Sequence, residues 1–230
     1  MNNILIVVPA RGGSKGIKLK NLQKINGDSL IKITSDVISN LSFNYTAIVS
    51  TDHPEIAKEA KKYNLEVPFM RPKSISGDLI SDWEVLYHSL TEMEIISKKK
   101  FDIVLMLQPT SPIRTEADIE ECIDKLMNGN FDAVWTVSKI DLKFHPKKIL
   151  TIEDNRLSFY DNDAKNIIAR QQLDECYIRN GICYALTRDC ILNHKNIYGE
   201  KLGYCITEKE IVNIDTIDDL IDAKDIFLKK

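Results

Sequence analysis

Short apolar runs rich in valine and isoleucine alternate along this chain with longer stretches in helical patterns. The runs Ile4–Val8, Thr46–Ser50, Ile103–Gln108, Ala133–Val137 and Ile182–Leu186 predict buried strands. Helical patterns fall near Leu30–Ser39, Pro54–Tyr63, Asp82–Ser97, Glu116–Met127 and Ile217–Leu228. Such alternation predicts an α/β sheet with helices on both faces.

Three helix starts carry side chains able to hold free backbone amides. Ser81-Asp82-Trp83-Glu84 has the spacing of a capping box, with Trp83, Leu86, Leu90 and Met93 following on one face. Thr115-Glu116-Ala117-Asp118 opens a helix whose inner face is Ile119, Cys122, Ile123 and Leu126, and Thr216-Ile217-Asp218-Asp219 opens the last one. The rhythm breaks from about Ile140 to Arg170. This segment holds His145-Pro146-Lys147-Lys148, a strand-like stretch near Leu157–Tyr160 and the polar run Asp161-Asn162-Asp163. Apolar residues persist in it, so it reads as an excursion from the sheet and not as a linker. With no internal repeat or low-complexity tract, one domain over residues 1–230 is expected, with 140–170 as an insertion.

A chain of 230 residues, 43% of them hydrophobic, can bury one substantial core. Its formal net charge of -3 argues against nucleic acid as the main partner. The apolar run from Ile4 is short, has no basic segment before it and ends in Arg11. Neither a secretion signal nor a membrane span is expected, and a cytoplasmic protein is. Cys122, Cys176, Cys183, Cys190 and Cys205 contain no CxxC pair, so reduced thiols are expected in place of a disulfide framework or zinc site. His53, His88 and His194 fall in segments read as helical and are assigned surface or packing roles.

Candidate chemistry gathers where strands end, which is where α/β sheets bind ligands. After Ile4–Val8 comes ARGGSKGIKLKN, residues 10 to 21, a small-residue turn bearing Arg11, Lys15, Lys18 and Lys20. Its glycines let backbone approach an anion and its cations suit a polyphosphate. The spacing fits neither GxxxxGK[ST] nor GxGxxG, which weakens ATPase and dinucleotide readings. The plainer alternative is a basic surface turn. Three further polar clusters follow: Gln108-Pro109-Thr110-Ser111-Pro112-Ile113-Arg114; Arg170-Gln171-Gln172 with Arg179-Asn180-Gly181; and Asn213-Ile214-Asp215. Two prolines fix the first of these while Gln108, Thr110 and Ser111 stay free to hydrogen-bond.

ARGGSKGIKLKN, Arg71-Pro72, LQPTSPIR (107–114), RQQL (170–173), NGICYA (180–185) and NIDTIDDL (213–220) occur in the order seen in acylneuraminate cytidylyltransferases. The chain resembles that family, the CMP-sialic acid synthetases and their relatives for bacterial nonulosonic acids, over nearly its whole length. The resemblance implies a Rossmann-like nucleotide-diphospho-sugar transferase sheet flanked by helices. It implies attack of the anomeric hydroxyl of a 2-keto-3-deoxy sugar acid on the α-phosphorus of CTP, releasing pyrophosphate. Arg11, Lys20 and Asp215 would then be catalytic. Ala10, Arg11, Gly12, Gly13, Ser14, Lys15, Lys20 and Asn21 would bind the nucleotide, with Arg71, Asp78 and Ser81 by the cytosine. Gln108, Thr110, Ser111, Lys148, Arg170, Gln171, Asn180 and Tyr184 would bind the sugar. Asp215, with Asn213, would hold Mg²⁺, a hard ion that favours carboxylate and phosphate oxygens. The 140–170 excursion would be the dimerisation element of a homodimer, carrying Lys148 and Arg170 to the neighbouring site; the alternative is a lid on its own subunit.

Two positions depart from the family pattern. Asn213 stands where the first aspartate of D-x-D is usual, and Lys18 where proline is common after Gly16-Ile17. The competing readings are a cytidylyltransferase for another acceptor, such as Kdo or an alditol phosphate, and a catalytically silent nucleotide-binding protein.

Overall fold

Strand β1 (Ile4–Pro9) is apolar throughout and buried at its first five positions, which puts it inside the sheet. The structure, a computed structural model, describes residues 2–229. A small hairpin, β2 (Lys24–Ile25) and β3 (Asp28–Ser29), leads into helix α1 (Leu30–Ser39), followed by β4 (Thr46–Ser50) and α2 (Pro54–Lys62). Helix α3 (Asp82–Ser97) precedes β5 (Ile103–Met106), and α4 (Glu116–Asn128) precedes β6 (Ala133–Lys139). The excursion forms a hairpin, β7 (Leu150–Glu153) with β8 (Arg156–Phe159). Then come β9 (Tyr177–Thr187), β10 (Leu202–Ile206) and α5 (Ile217–Leu228).

The main sheet has the order β10-β6-β9-β5-β1-β4. β1 pairs in parallel with β4 and β5, and β10 with β6, while β9 runs antiparallel between β5 and β6. Side chains of β1 alternate between faces. Ile4, Ile6 and Val8 join α1, α2 and α4 in one core, and Leu5 and Val7 join Leu86, Leu90 and Met93 of α3 in another. Helices therefore cover both faces. Each such buried aliphatic contributes about 1.5–3 kcal/mol, so the ends of the central strands are firmly held. A third, smaller core unites Ile17, Ile25, Leu30 and Ile33 with Ile214, Leu220 and Ala223. It clamps the basic loop and the small hairpin to α5.

The predicted helices all form, and the capping boxes at Ser81, Thr115 and Thr216 are present. The differences lie in the strands. β9 begins at Tyr177, not Ile182, because its first three residues are exposed and lack the continuous apolar run of a buried strand. β10 was not expected, since its buried positions are Gly203 and Cys205 while Leu202, Tyr204 and Ile206 face outward. β5 stops at Met106, although the Leu107 amide still donates to the Val7 carbonyl. His53 caps the start of α2 instead of lying within it, and His194 ends a π-helical turn, Cys190–His194. The five cysteines are free. Thiol hydrogen bonding among Cys122, Cys183 and Cys205, together with burial, raises Cys122 and Cys205 well above the ordinary thiol range, which leaves them poor nucleophiles.

Candidate active site

The carboxyl ends of β1 and β5 open into a cleft of about 420 Å³, lined by Arg11, Ser14, Lys15, Gly16, Lys20 and Asn21 of the basic loop. Arg71, Asp78, Asp82, Gln108, Thr110 and Asp215 complete its lining. The loop is shaped by close contacts. Ala10 is buried and its amide donates to the Ser50 carbonyl at 2.9 Å. The Gly12 amide donates to Asp52 Oδ1 at 2.8 Å, and a Cβ on Gly12 would drive into the His53 ring. A Cβ on Gly16 would drive into the Asp215 carbonyl. Only glycine lets the two segments meet there. Gly13 is exposed, and nothing lies within reach of a Cβ built on it.

The cleft-lining cations of the basic loop already have carboxylate partners. Arg11 Nη1 pairs with Asp78 at 3.0 Å and donates to the Gly77 carbonyl at 2.7 Å, while Lys15 Nζ reaches the other Asp78 oxygen at 2.6 Å. The Lys15 ammonium, helped by Arg11, holds the Asp78 carboxyl below the usual range. Asp78 thus sits against Arg11 and Lys15 of the basic loop, not apart from them. Lys20 Nζ pairs with Asp215 Oδ1 at 2.7 Å. Lys18 is exposed and outside the cleft lining.

Arg71 is 6% exposed, and burial pushes its pKa down to about 10, partly opposed by Asp52. Its Nη2 donates to the Ser50 carbonyl at 3.1 Å. Arg71 Nε, Asn21 Oδ1 and Ser50 Oγ are buried and have no hydrogen-bond partner among the described residues. Such atoms cost about 1–3 kcal/mol each when unmatched, so a polar ligand that reaches them gains correspondingly. Ser81 does not line the cleft. Its hydroxyl caps α3, accepting from the Glu84 amide at 3.3 Å and donating to Glu84 Oε2 at 2.8 Å.

The turn after β5 carries Gln108 and Thr110 into the cleft and keeps Ser111 buried. Ser111 Oγ donates to Asn213 Oδ1 at 2.6 Å, and the Ile214 amide donates to the Thr110 carbonyl at 2.8 Å. Ile214 is buried between exposed Asn213 and Asp215, so the two polar residues share one side of the strand-like segment. Gly181 has φ +71, and a Cβ on it would strike Gln108 and Ser111. Because β9 is antiparallel, this Asn180-Gly181 cluster lies in the first half of its strand, yet at the same end of the sheet as the other clusters.

Two expected sugar-binding side chains are buried in the sheet. Asn180 accepts from Thr136 Oγ1 at 2.6 Å and donates to Ser138 Oγ at 2.9 Å, which leaves it supporting β6 and β9 instead of facing the cleft. Tyr184 packs on Trp135 with ring centroids 5.2 Å apart, and burial raises its hydroxyl to about 12. Lys148 and Arg170 line a separate cavity on the excursion with Lys147, Lys165 and Ile168, and Gln171 is exposed beside it. None of these three lines the cleft. Conversely, the sequence marks Asp82 only as a helix-start residue. It lines the cleft, lies 3.9 Å from Arg179, and burial lifts its carboxyl above the ordinary range. Its adjacency to Ser81 was the one available signal.

The profile of one protein family, described as Cytidylyltransferase, matches residues 5–228. The chain belongs to that family. This cytidylyltransferase is 30% identical over 210 residues to post-translational flagellin modification protein B of Campylobacter coli, covering 91% of this chain and 88% of the relative. It is 30% identical to the CMP-N,N'-diacetyllegionaminic acid synthase of Legionella pneumophila, covering 93% and 91%. It is 27% identical to a pseudaminic acid cytidylyltransferase of Campylobacter jejuni, covering 96% and 94%. A CMP:2-keto-3-deoxy-manno-octonic acid synthetase solved with CTP shares the fold of this cytidylyltransferase, with TM-score 0.74, 17% identity and 99% of each chain covered.

Proposed function

We propose that this cytidylyltransferase transfers CMP from CTP to the anomeric hydroxyl of a sialic-acid-like nonulosonic acid, releasing pyrophosphate. The observation that carries this reading is the convergence of Arg11, Lys15 and Lys20 on one cleft with Gln108 and with Asp215, which pairs with Lys20. Arg11, Lys15 and Lys20 take the triphosphate oxygens by exchanging their carboxylate partners for phosphate, and they stabilise charge that builds on the leaving pyrophosphate. The ring-end contacts are Arg71 and Asn21, whose buried polar atoms can meet cytosine and ribose. Gln108 and Thr110 orient the acceptor beside the α-phosphate.

Asp215 and Asn213 offer a carboxylate and an amide oxygen, hard donors suited to Mg²⁺. Among the described residues no three His, Cys, Asp or Glu side chains gather into a metal-binding group. That fits an ion held by one protein carboxylate and completed by substrate phosphates. When bound, Mg²⁺ supplies charge neutralisation at the phosphates. The reading also includes a homodimer in the cytoplasm. Phe144, Ile149, Leu150, Ile152, Leu157 and Ile168 of the excursion are all exposed, an apolar surface suited to a second copy. Lys148 and Arg170 would then serve the neighbouring cleft, with the arginine fork on the acceptor carboxylate.

Pyrophosphate release is the test, with neuraminic, legionaminic and pseudaminic acids and Kdo each offered with CTP and the other nucleoside triphosphates. Release with CTP and at least one nonulosonic acid is expected. Release with Kdo alone would reassign the acceptor, and release with none would leave a silent nucleotide-binding protein.

A further inference from the structure

We propose that Arg114, which lies outside the cleft, is a positioning residue that pins the 108–111 turn and through it aligns the metal-facing Asn213–Asp215 segment. The inference rests on the functional reading above, in which Asp215 and Asn213 hold Mg²⁺.

Arg114 is 4% exposed and forms no ion pair among the described residues. Its guanidinium is turned onto backbone carbonyls. Nε and Nη2 donate to the Ser111 carbonyl at 3.2 and 2.9 Å, and Nη2 also donates to the Gln108 carbonyl. The nearby acid, Asp118, is engaged elsewhere, accepting from the Thr115 amide at 2.6 Å and pairing with Lys209. Burying a cation without a carboxylate partner carries a desolvation penalty that an apolar residue would avoid. A planar fork gripping two carbonyls three residues apart is what that penalty secures, and a lysine cannot reproduce it.

The gripped turn is also the mount for the metal-facing segment. Ser111 Oγ donates to Asn213 Oδ1 at 2.6 Å, and the Thr110 carbonyl receives the Ile214 amide at 2.8 Å. Two hydrogen bonds therefore transmit the turn's position to residues 213 and 214, and Gln108 rides on the same turn. The basic loop meets the segment by a separate route, through Gly16 and Lys20 at Asp215, and Arg11 and Lys15 are held by Asp78 without the 108–111 turn. Loss of Arg114 should disturb metal and acceptor handling while sparing the cation contacts to the nucleotide.

The test compares Arg114→Met, Arg114→Lys and Ser111→Ala by calorimetric CTP binding in EDTA and in Mg²⁺, alongside steady-state kinetics. Folded Arg114 variants should bind CTP in EDTA within about twofold of the parent and lose roughly tenfold of the Mg²⁺-dependent gain in affinity, as for other residues that orient a metal ligand. The Mg²⁺ midpoint and the acceptor KM should rise together, and lysine should not rescue. If neither Arg114 variant folds, Ser111→Ala carries the test, because it cuts the link to Asn213 and leaves the buried cation in place. A retained metal-dependent gain, or an equal loss in EDTA, overturns the proposal. Parent protein that binds CTP no better with Mg²⁺ would overturn the metal reading of Asp215 and this inference with it.

Discussion

The cleft and the excursion both gather basic side chains, and they handle them in opposite ways. In the cleft, Arg11 and Lys15 share Asp78 and Lys20 holds Asp215, on a loop anchored through Ile17 in a dry core. On the excursion, Lys147, Lys148, Lys165 and Arg170 line one cavity, and none of them is in an ion pair among the described residues. The nearby Asp141 pairs with Lys143 instead. Around these cations Ile152, Leu157, Tyr160 and Ile168 are exposed. Paired charge over a buried core is complete within one subunit. In the homodimer reading, free cations beside exposed apolar surface would form half of an interface.

That contrast breaks first at Asp215. Asp215→Asn should reduce turnover by about a thousandfold at any workable Mg²⁺ concentration, the scale of losing a central electrostatic group. Near-normal kcat at low Mg²⁺ would show that another carboxylate does this work. Arg11→Ala and Lys20→Ala should each remove about 2–3 kcal/mol of transition-state stabilisation, roughly 30- to 150-fold in kcat/KM, with the melting temperature nearly unchanged. Unaltered kcat/KM in both would remove the loop from the reaction.

The excursion's half of the comparison is sharpened by mixing subunits. Arg170→Ala protein should be about thirtyfold less active if its guanidinium serves a neighbour's acceptor carboxylate. Remixed with Asp215→Asn protein, it should regain about a quarter of parent activity, since half the dimers then contain one intact composite site. No recovery, or a fully active monomer in sedimentation, would confine Arg170 to its own subunit. The smallest effect belongs to Asn213→Asp, which should keep turnover and lower the Mg²⁺ midpoint about threefold by adding charge to an existing oxygen donor. A loss of activity there would mean that the Ser111 bond, not the oxygen donor, is what position 213 contributes.

The parts of this molecule legible from sequence are those specified locally. Helix starts at Ser81, Thr115 and Thr216 are written in four residues each, and the loop and turn motifs are contiguous. The missed parts depend on partners distant in the chain. β10 buries a glycine and a cysteine and shows its larger residues outward, so no alternation of inward apolar residues marks it. Asp82 enters the cleft because α3 starts there, and Asp52 braces the basic loop from outside the cleft lining because the Gly12 amide reaches it. Asn180 sits in a motif that looks exposed, but pairing of β9 with β6 buries it against Thr136 and Ser138. Motif spacing identifies which residues meet near a site; it does not say which of them face the ligand and which hold up the wall.

The contact between the basic loop and the Asn213–Asp215 segment has a consequence for how the enzyme comes into being. Lys20 and Asp215 are 195 residues apart, and Ile17 reaches its core only when Ile214, Leu220 and Ala223 are there to meet it. At about 5–20 residues per second on the ribosome, the loop waits roughly 10–40 s after its own synthesis for those partners. During that interval β1, β4 and β5 can already pair and Asp78 is available to Arg11 and Lys15, whereas β9, which lies between β5 and β6, is made only near its end and Lys20 still lacks Asp215. The sheet is therefore completed by β9 and β10 late in synthesis, and α5 follows as the latch that closes the small core around Ile17 and seats the basic loop.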